Sequence, residues 1–339
     1  MAACCILLAL LVGMSGCGGG TDAKAGTDAK VALLLPEDET PRYESIDRPA
    51  FEERLDELCD DCEVIYRNAQ GDVSKQEDQA EAVLSKDVDV LVFAPIAPEY
   101  GDTIIKRAAA QDIPIVNYDS LVFESTPDVL VSFDIVREGE LMAEALAEKL
   151  TEMGKPRGPI VMINGEPGNV EQPKFEEGAE KEFAAAGVEI GRRDYTPFWY
   201  PDEARHEMEQ AIDGLGAKGF SGVYAETDGL AEGSIEAMEA AGIDPTSKPT
   251  TGKDATIKGL QRILKGLQYM TLYEPIEREA ATAAEIALTL AEGKDLSAET
   301  ITDEVGEERF KVPAVLLEPV VVTKDNAQQV LKRVEALVR

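Results

Sequence analysis

The feature that most constrains this chain is the alternation of short apolar runs with longer segments of helical period. Val31–Leu35, Val88–Ala94, Ile113–Val116 and Val129–Val131 are apolar runs. Between them lie segments such as Arg48–Leu58, which sets Phe51, Leu55 and Leu58 on one face, and Ser74–Ser85, where Ser74 and Glu77 have capping-box spacing. Strands separated by helices in this way build a parallel sheet covered on both faces. The pattern resumes after a helix over 138–151, with strands at Pro159–Ile163, Val188–Tyr195, Gly222–Ala225, Gln268–Tyr273 and Val315–Val322. Two such sets in 339 residues, 44% of them hydrophobic, predict two α/β lobes, each with its own core.

Ligands of open α/β sheets bind outside the carboxyl ends of the strands. Several strands here deliver an aspartate at or just past that end: Asp119, Asp134, Asp228 and Asp254. Carboxylates aimed into one cleft accept hydrogen bonds from hydroxyls, and an ionised acceptor makes the stronger kind. The loop T-P-F-W-Y-P carries the one tryptophan, Trp199, whose indole can lie on the C–H face of a sugar ring with Tyr43 opposite. The stretch 114–139 joins the two sets, so it serves as ligand contact and crossover together.

Other chemistries are poorly served. With 66 acidic against 33 basic residues and a net charge of −33, the chain lacks the clustered cations that nucleic acid requires. Gly214 to Gly219 match G-x-G-x-x-G, but they follow a helix and precede a strand, so they read as a helix stop. The one histidine, His206, lies on an acidic helix, which leaves no triad and no histidine metal site. The reading is therefore a binding protein rather than an enzyme, with no cofactor and no metal.

The apolar run Ile6–Val12 is far shorter than the ~20 residues of a membrane span and matches the core of a signal peptide, here 1–16. Met14-Ser15-Gly16-Cys17 looks like a lipobox, which implies lipid on Cys17, and the small polar residues of 17–29 read as a tether. Of five cysteines, Cys4 and Cys5 leave with the signal, and Cys59 and Cys62 stand in L-C-D-D-C-E. An exported C-x-x-C pair suits a disulfide or half a metal site; no second pair exists, so a local disulfide is expected.

Taken together, T-P-R-Y-E-S-I-D-R-P-A-F (40–51), D-V-L-V-F-A-P (89–95), N-Y-D (117–119), V-S-F-D (131–134), V-M-I-N-G-E-P (161–167), W-Y-P-D-E-A (199–204), G-K-D-A (252–255) and Q-Y-M-T-L-Y-E-P-I (268–276) resemble the type I periplasmic-binding-protein superfamily, in the branch of the D-xylose-binding proteins of ABC importers. The resemblance runs from about Lys30 to the C-terminus. It implies two Rossmann-like lobes with parallel sheets, joined by a hinge of three crossovers near 134–137, 273–276 and 310–313. The lobes would be 30–135 plus 276–310 and 136–275 plus 311–339.

Carried over, the ligand contacts of the resemblance fall on Asp119, Asp134, Trp199, Asp228 and Asp254, with Arg42 and Tyr43 from the first loop. Some family positions differ. Y-D-R reads Tyr118-Asp119-Ser120, and S-F-D-N has Ile135 after Asp134. N-D reads Thr227-Asp228, Y-K-P reads Tyr273-Glu274-Pro275, and a paired amide reads Val170-Glu171. These changes imply an acidic cleft short of cations, suited to an amino sugar or a polyol rather than D-xylose. The function implied is a monomeric lipoprotein on the outer face of the cell membrane, delivering a sugar-like ligand to an ABC permease. The alternative is a ligand-sensing clamshell that signals to a membrane receptor or kinase.

Overall fold

The computed structural model describes residues 28–337 except 39, 41, 123–124 and 307–309. The expected signal segment 1–16 and Cys17, the expected lipid site, lie outside the described residues.

The first lobe begins with β1 (Lys30–Leu35), α1 (Arg48–Leu58), β2 (Glu63–Asn68), α2 (Val73–Leu84), β3 (Val90–Phe93), α3 (Asp102–Ala109), β4 (Ile115–Tyr118) and β5 (Val129–Phe133). β1, β3 and β4 are buried along their whole length or nearly so, which is why they read as continuous apolar runs. The second lobe follows with α4 (Ile135–Glu152), β6 (Ile160–Asn164), α5 (Gln172–Ala186), β7 (Ile190–Tyr195), α6 (Pro201–Leu215), β8 (Gly222–Ala225), α7 (Asp228–Ala240), α8 (Ile257–Lys265) and β9 (Thr271–Tyr273). α6 stops at Leu215 and the chain turns through Gly216, as the glycine run implied. The chain then returns to the first lobe with α9 (Ile276–Ala291), β10 (Asp303–Val305) and β11 (Val312–Leu317), and closes in the second with β12 (Val320–Val322) and α10 (Ala327–Leu337).

The first sheet has seven strands in the order β10-β11-β5-β4-β3-β1-β2, parallel except for the β10–β11 hairpin. Alternation along β5 sends Val129, Val131 and Phe133 toward the alanine-rich face of α9, where Ala280, Ala283, Ala284 and Ala287 let the helix lie close to the sheet. The second lobe pairs β7-β6-β8 in parallel. Val223 donates to Pro249 and Leu272 donates to Gly252, so the segment 249–252 links β8 to the β9–β12 pair.

Two sequence expectations change. The apolar stretch 315–322 is two strands in different lobes: β11 pairs with β5, and β12 pairs with β9. Glu318-Pro319 separates them, and Pro319 has no N–H with which to continue a ladder. The third crossing is therefore at 318–319 rather than 310–313, and 312–317 belongs to the first lobe. The other crossings fall between β5 and α4 and between β9 and α9. Arg137 and Glu318, 3.3 Å apart, tie the first crossing to the third. The second change is the start of α2. Asp72, not Ser74, caps it by accepting from the Lys75 N–H at 3.0 Å.

Cys59 and Cys62 form a disulfide just after α1, with Cα atoms 5.5 Å apart. Among the described residues no helix is long and apolar enough to cross a membrane.

Candidate functional site

The first lobe builds its part of the site from the turn leading into α1. Residues 43–47 form one wide helical turn that runs straight into α1, which places Tyr43 and Asp47 on the same side of the chain. Arg42 grips Asp47 with two nitrogens, Nη2 at 2.8 Å and Nε at 3.1 Å. The same guanidinium reaches Asp119 at 3.1 Å and Glu279, at the start of α9, at 2.9 Å. Burial works against its charge, but Asp119, Asp47 and Glu279 outweigh that and hold it well above its ordinary pKa. Tyr43 donates to the second oxygen of Asp119 at 2.9 Å, and the buried Tyr118 donates to Asp47 at 2.5 Å. Glu279 is fully buried; burial pushes its pKa well up, against the pull of Arg42.

Asp119 occupies the left-handed region, with φ of 68°. Such a backbone persists only where its surroundings hold it. Here Asn117, buried at the end of β4, donates to the Ser120 carbonyl at 2.8 Å and accepts from the Val122 N–H at 2.9 Å. Ser132 donates to the Asp119 carbonyl at 2.5 Å. Ser120 lies beside Asp119 on the wall of an interlobe cavity of about 480 Å³, which Asp134 also lines. Asp134 caps α4 by accepting from the Arg137 N–H at 2.9 Å.

The second lobe centres on Lys253, a residue the sequence pattern did not single out. Its ammonium lies 3.1 Å from Glu138, 3.4 Å from Glu274 and 4.9 Å from the centroid of the Phe175 ring. Burial lowers its pKa, but Glu274, Glu138, Asp254 and Glu171 outweigh this and raise it well above the usual range. Glu138, on the first turn of α4, is fully buried, and burial drives its pKa well up despite Lys253. Asp254 follows with φ of 92°. Its side chain is open to solvent yet hemmed in by protein walls. Burial, and then Asp228, Glu274 and Glu171 against Lys253, push its pKa up to about 7. Glu171 comes from the loop before α5; its pKa is raised by burial first, with charges on both lobes acting on it, Lys253 and Glu274 from the second and Asp119 from the first. A second interlobe cavity, about 380 Å³, is lined by Arg42, Asp254, Tyr273 and Glu274.

The expectation of a cleft short of cations is therefore corrected. Arg42 and Lys253 both stand in it, and Lys253 neighbours Glu274, the residue found where the resemblance has lysine. A lysine directly before Asp254 in G-K-D-A was the available signal.

The other candidates divide. Asp228 is 1% exposed. Its oxygens accept from the Thr256 N–H at 2.8 Å, the Thr256 hydroxyl at 2.9 Å and the Gln268 amide at 2.6 Å, so it braces the start of α8. A Cβ on Gly252 would lie 2.4 Å from Asp228, so only glycine admits this packing. Thr227 caps α7, accepting from the Leu230 N–H at 3.2 Å. Trp199 lies flat on Gly165, where a Cβ would come within 2.2 Å of the indole, and meets the Phe175 ring edge-on at 6.5 Å. Behind this loop sits Glu226, also missed from sequence. It is fully buried, accepts from the Gly165 N–H at 2.6 Å, and is pushed by burial up to about 8. The neighbouring Asn164 side chain has no hydrogen-bond partner among the described residues.

Two lobes of parallel sheet, with polar groups converging from both on the space between them, define a ligand-binding clamshell. Residues 31–295 match the periplasmic binding protein domain family, and the chain belongs to it. It is 29% identical to the D-xylose-binding periplasmic protein of Haemophilus influenzae, over 89% of this chain and 88% of that protein. It is 25% identical to the xylitol-binding protein of Mycolicibacterium smegmatis, over 95% and 85%. Among solved structures, that of a periplasmic ribose ABC transporter protein from Conexibacter woesei superposes with a TM-score of 0.78 at 20% identity, covering 94% of this chain and all of that one.

Proposed function

We propose that this protein is an extracytoplasmic solute-binding lipoprotein, held by lipid on Cys17, that captures a sugar-like ligand between its lobes and delivers it to an ABC importer. The observation that carries this reading is the convergence of hydrogen-bonding side chains from both lobes: Arg42, Tyr43 and Asp119 from one, Lys253, Asp254, Glu274 and Glu171 from the other. A ligand touching both sets stabilises the closed arrangement over the open one. The names of relatives that bind xylose and xylitol support a polyhydroxylated ligand.

Within that class the reading favours an amino sugar, then a neutral polyol, over D-xylose. Acidic groups outnumber the cations along the cleft, Arg137, Lys174 and Lys181 included with Arg42 and Lys253, and Glu274 ionised only accepts hydrogen bonds. Asp254, half protonated near neutrality, can accept from an ammonium once it gives up its proton. Calorimetry against D-xylose, D-glucosamine, D-galactosamine and xylitol tests this directly. Tightest binding of an amino sugar is expected. Micromolar D-xylose binding with nothing in the set tighter would overturn the preference. Small-angle scattering should show compaction with the tightest ligand, and an unchanged radius of gyration at saturation would remove the clamshell mechanism.

A further inference from the structure

We propose that the ligand is a glycoside whose apolar aglycone lies in the 480 Å³ cavity beside Asp119; this rests on the sugar-binding reading above. Three of the departures from the family pattern meet in this one place. Ser120, Ile135 and Val170-Glu171 all line it, on three different chain segments. Ser120 is small, and Ile135 and Val170 are apolar where the resemblance has amides. The remaining departures behave otherwise: Thr227 caps a helix, and Glu274 pairs with Lys253.

The sheet supplies the floor. Alternation along β5 turns Leu130 and Ser132 to the side away from α9, and parallel pairing sets Leu316 of β11 opposite Ser132. Leu130, Val312 and Ala314 are the buried members of a small apolar cluster against which Leu121, Val305 and Leu316 pack half-buried. Leu121, Leu130, Leu316, Ile135 and Val170 thus give the cavity an apolar strip on walls that also carry Asp119. Val170 is 49% exposed, an apolar side chain facing solvent at the rim. A cavity of this size falls within the range that holds drug-sized ligands, which leaves space beyond one sugar ring. The cavity offers both kinds of surface, a strip of apolar side chains beside Asp119 and Glu171, with Arg137, Glu140, Lys174, Lys181 and Asp303 also on its walls. An apolar strip beside hydrogen-bonding groups suits a sugar with a hydrophobic substituent better than a free monosaccharide.

The test is calorimetry of the full chain with D-xylose, D-glucose and D-glucosamine, each beside its phenyl and octyl glycosides in both anomers. At least one glycoside should bind tenfold or more tightly than its parent sugar, about 1.4 kcal/mol. In Val170→Asn, a substitution at an exposed site, the ratio of glycoside to parent affinity should fall toward one. If parents bind and every glycoside is equal or weaker, the aglycone proposal is overturned while the sugar reading stands. The aglycone proposal falls in the same way if a glycoside gains tenfold but the gain survives in both Val170→Asn and Leu121→Asn. If no compound of the set binds, the sugar reading falls and this proposal falls with it.

Discussion

Arg42 and Lys253 are both cations set among carboxylates, one in each lobe, and the lobes treat them differently. Arg42 spreads its planar fork over three acids, with two bonds to Asp47 and one each to Asp119 and Glu279. Tyr43 and Tyr118 donate to two of those acids, Asp119 and Asp47. Lys253 is a point charge with longer contacts to Glu138 and Glu274. Each lobe leaves a buried polar atom without a hydrogen-bond partner among the described residues, Oε1 of Glu279 in the first and the Asn164 amide in the second, and in the second lobe Asp254 is also open to solvent. An arginine fork fixes several partners at once, so the first-lobe candidates Tyr43 and Asp119 sit in a denser set of bonds than the groups around Lys253. The second lobe keeps groups that can still change partner or protonation.

The largest expected effect is that of Arg42→Ala. It leaves Asp47, buried and held by two guanidinium nitrogens, without a cation, which should lower stability by about 3–5 kcal/mol, while Glu279, already pushed toward its neutral form by burial, can take up a proton. Chemical denaturation checks this, and Arg42→Lys should recover only part because it lacks the fork. A loss under about 1 kcal/mol, the scale of an exposed ion pair, would break the contrast from the first-lobe side.

Next is Glu226, in the second lobe. Its pKa rises to about 8 in the fold against an ordinary 4.5. The folded protein therefore holds a proton that the unfolded chain has released, so stability falls as pH rises from about 4.5 to about 8 and is level outside that window. Glu226→Gln removes this titration. Its stability relative to the parent should grow across the window, reaching roughly 4 kcal/mol at pH 8. Thermal melts of both proteins from pH 4 to 9 measure it, and parallel curves would contradict the buried titration.

Lys253→Met should destabilise less than Arg42→Ala, by about 1–2 kcal/mol at pH 7. Glu138 is already driven toward its neutral form, so it can take up a proton when the cation is gone. Ligand affinity should suffer more than stability. Equal losses for the Arg42 and Lys253 variants would erase the distinction between the lobes.

The smallest effect is in binding. A cationic ligand prefers Asp254 ionised, so its affinity should rise severalfold as pH rises through about 7, with proton release, and fall again once the ligand's own ammonium deprotonates. Calorimetry with D-glucosamine in buffers of different ionisation heat reads both quantities, and xylitol should show a weaker dependence. A flat profile for the amino sugar would place Asp254 away from its charge.

Legibility from sequence follows how local each interaction is. Strands, helices and the place of Asp119 could be read because apolar period and strand-end position are local properties, whereas the grouping of Arg42 and Tyr43 with it entered only through the family resemblance. The aspartates at strand ends looked equivalent on the same grounds, and the structure separates them. Asp119 and Asp254 reach the interlobe space, Asp134 divides its role between cavity wall and helix cap, and Asp228 is taken up by Thr256 and Gln268.

The chain by itself determined two α/β lobes with their binding face at the strand ends, because backbone pairing and burial on both sheet faces leave a visible period. Only the tertiary structure decided which carboxylates burial pushes toward the neutral form, which are paired and which stand open. Those outcomes depend on partners far along the chain: Asp228 on Gln268, Arg42 on Glu279, Lys253 on Glu138. They depend equally on how much water the folded walls exclude, and desolvation has no signature in a local stretch of sequence. The same holds for 312–322, a nearly continuous apolar run to the eye. It became two strands because two sheets, built from residues far away in the chain, each needed an edge partner.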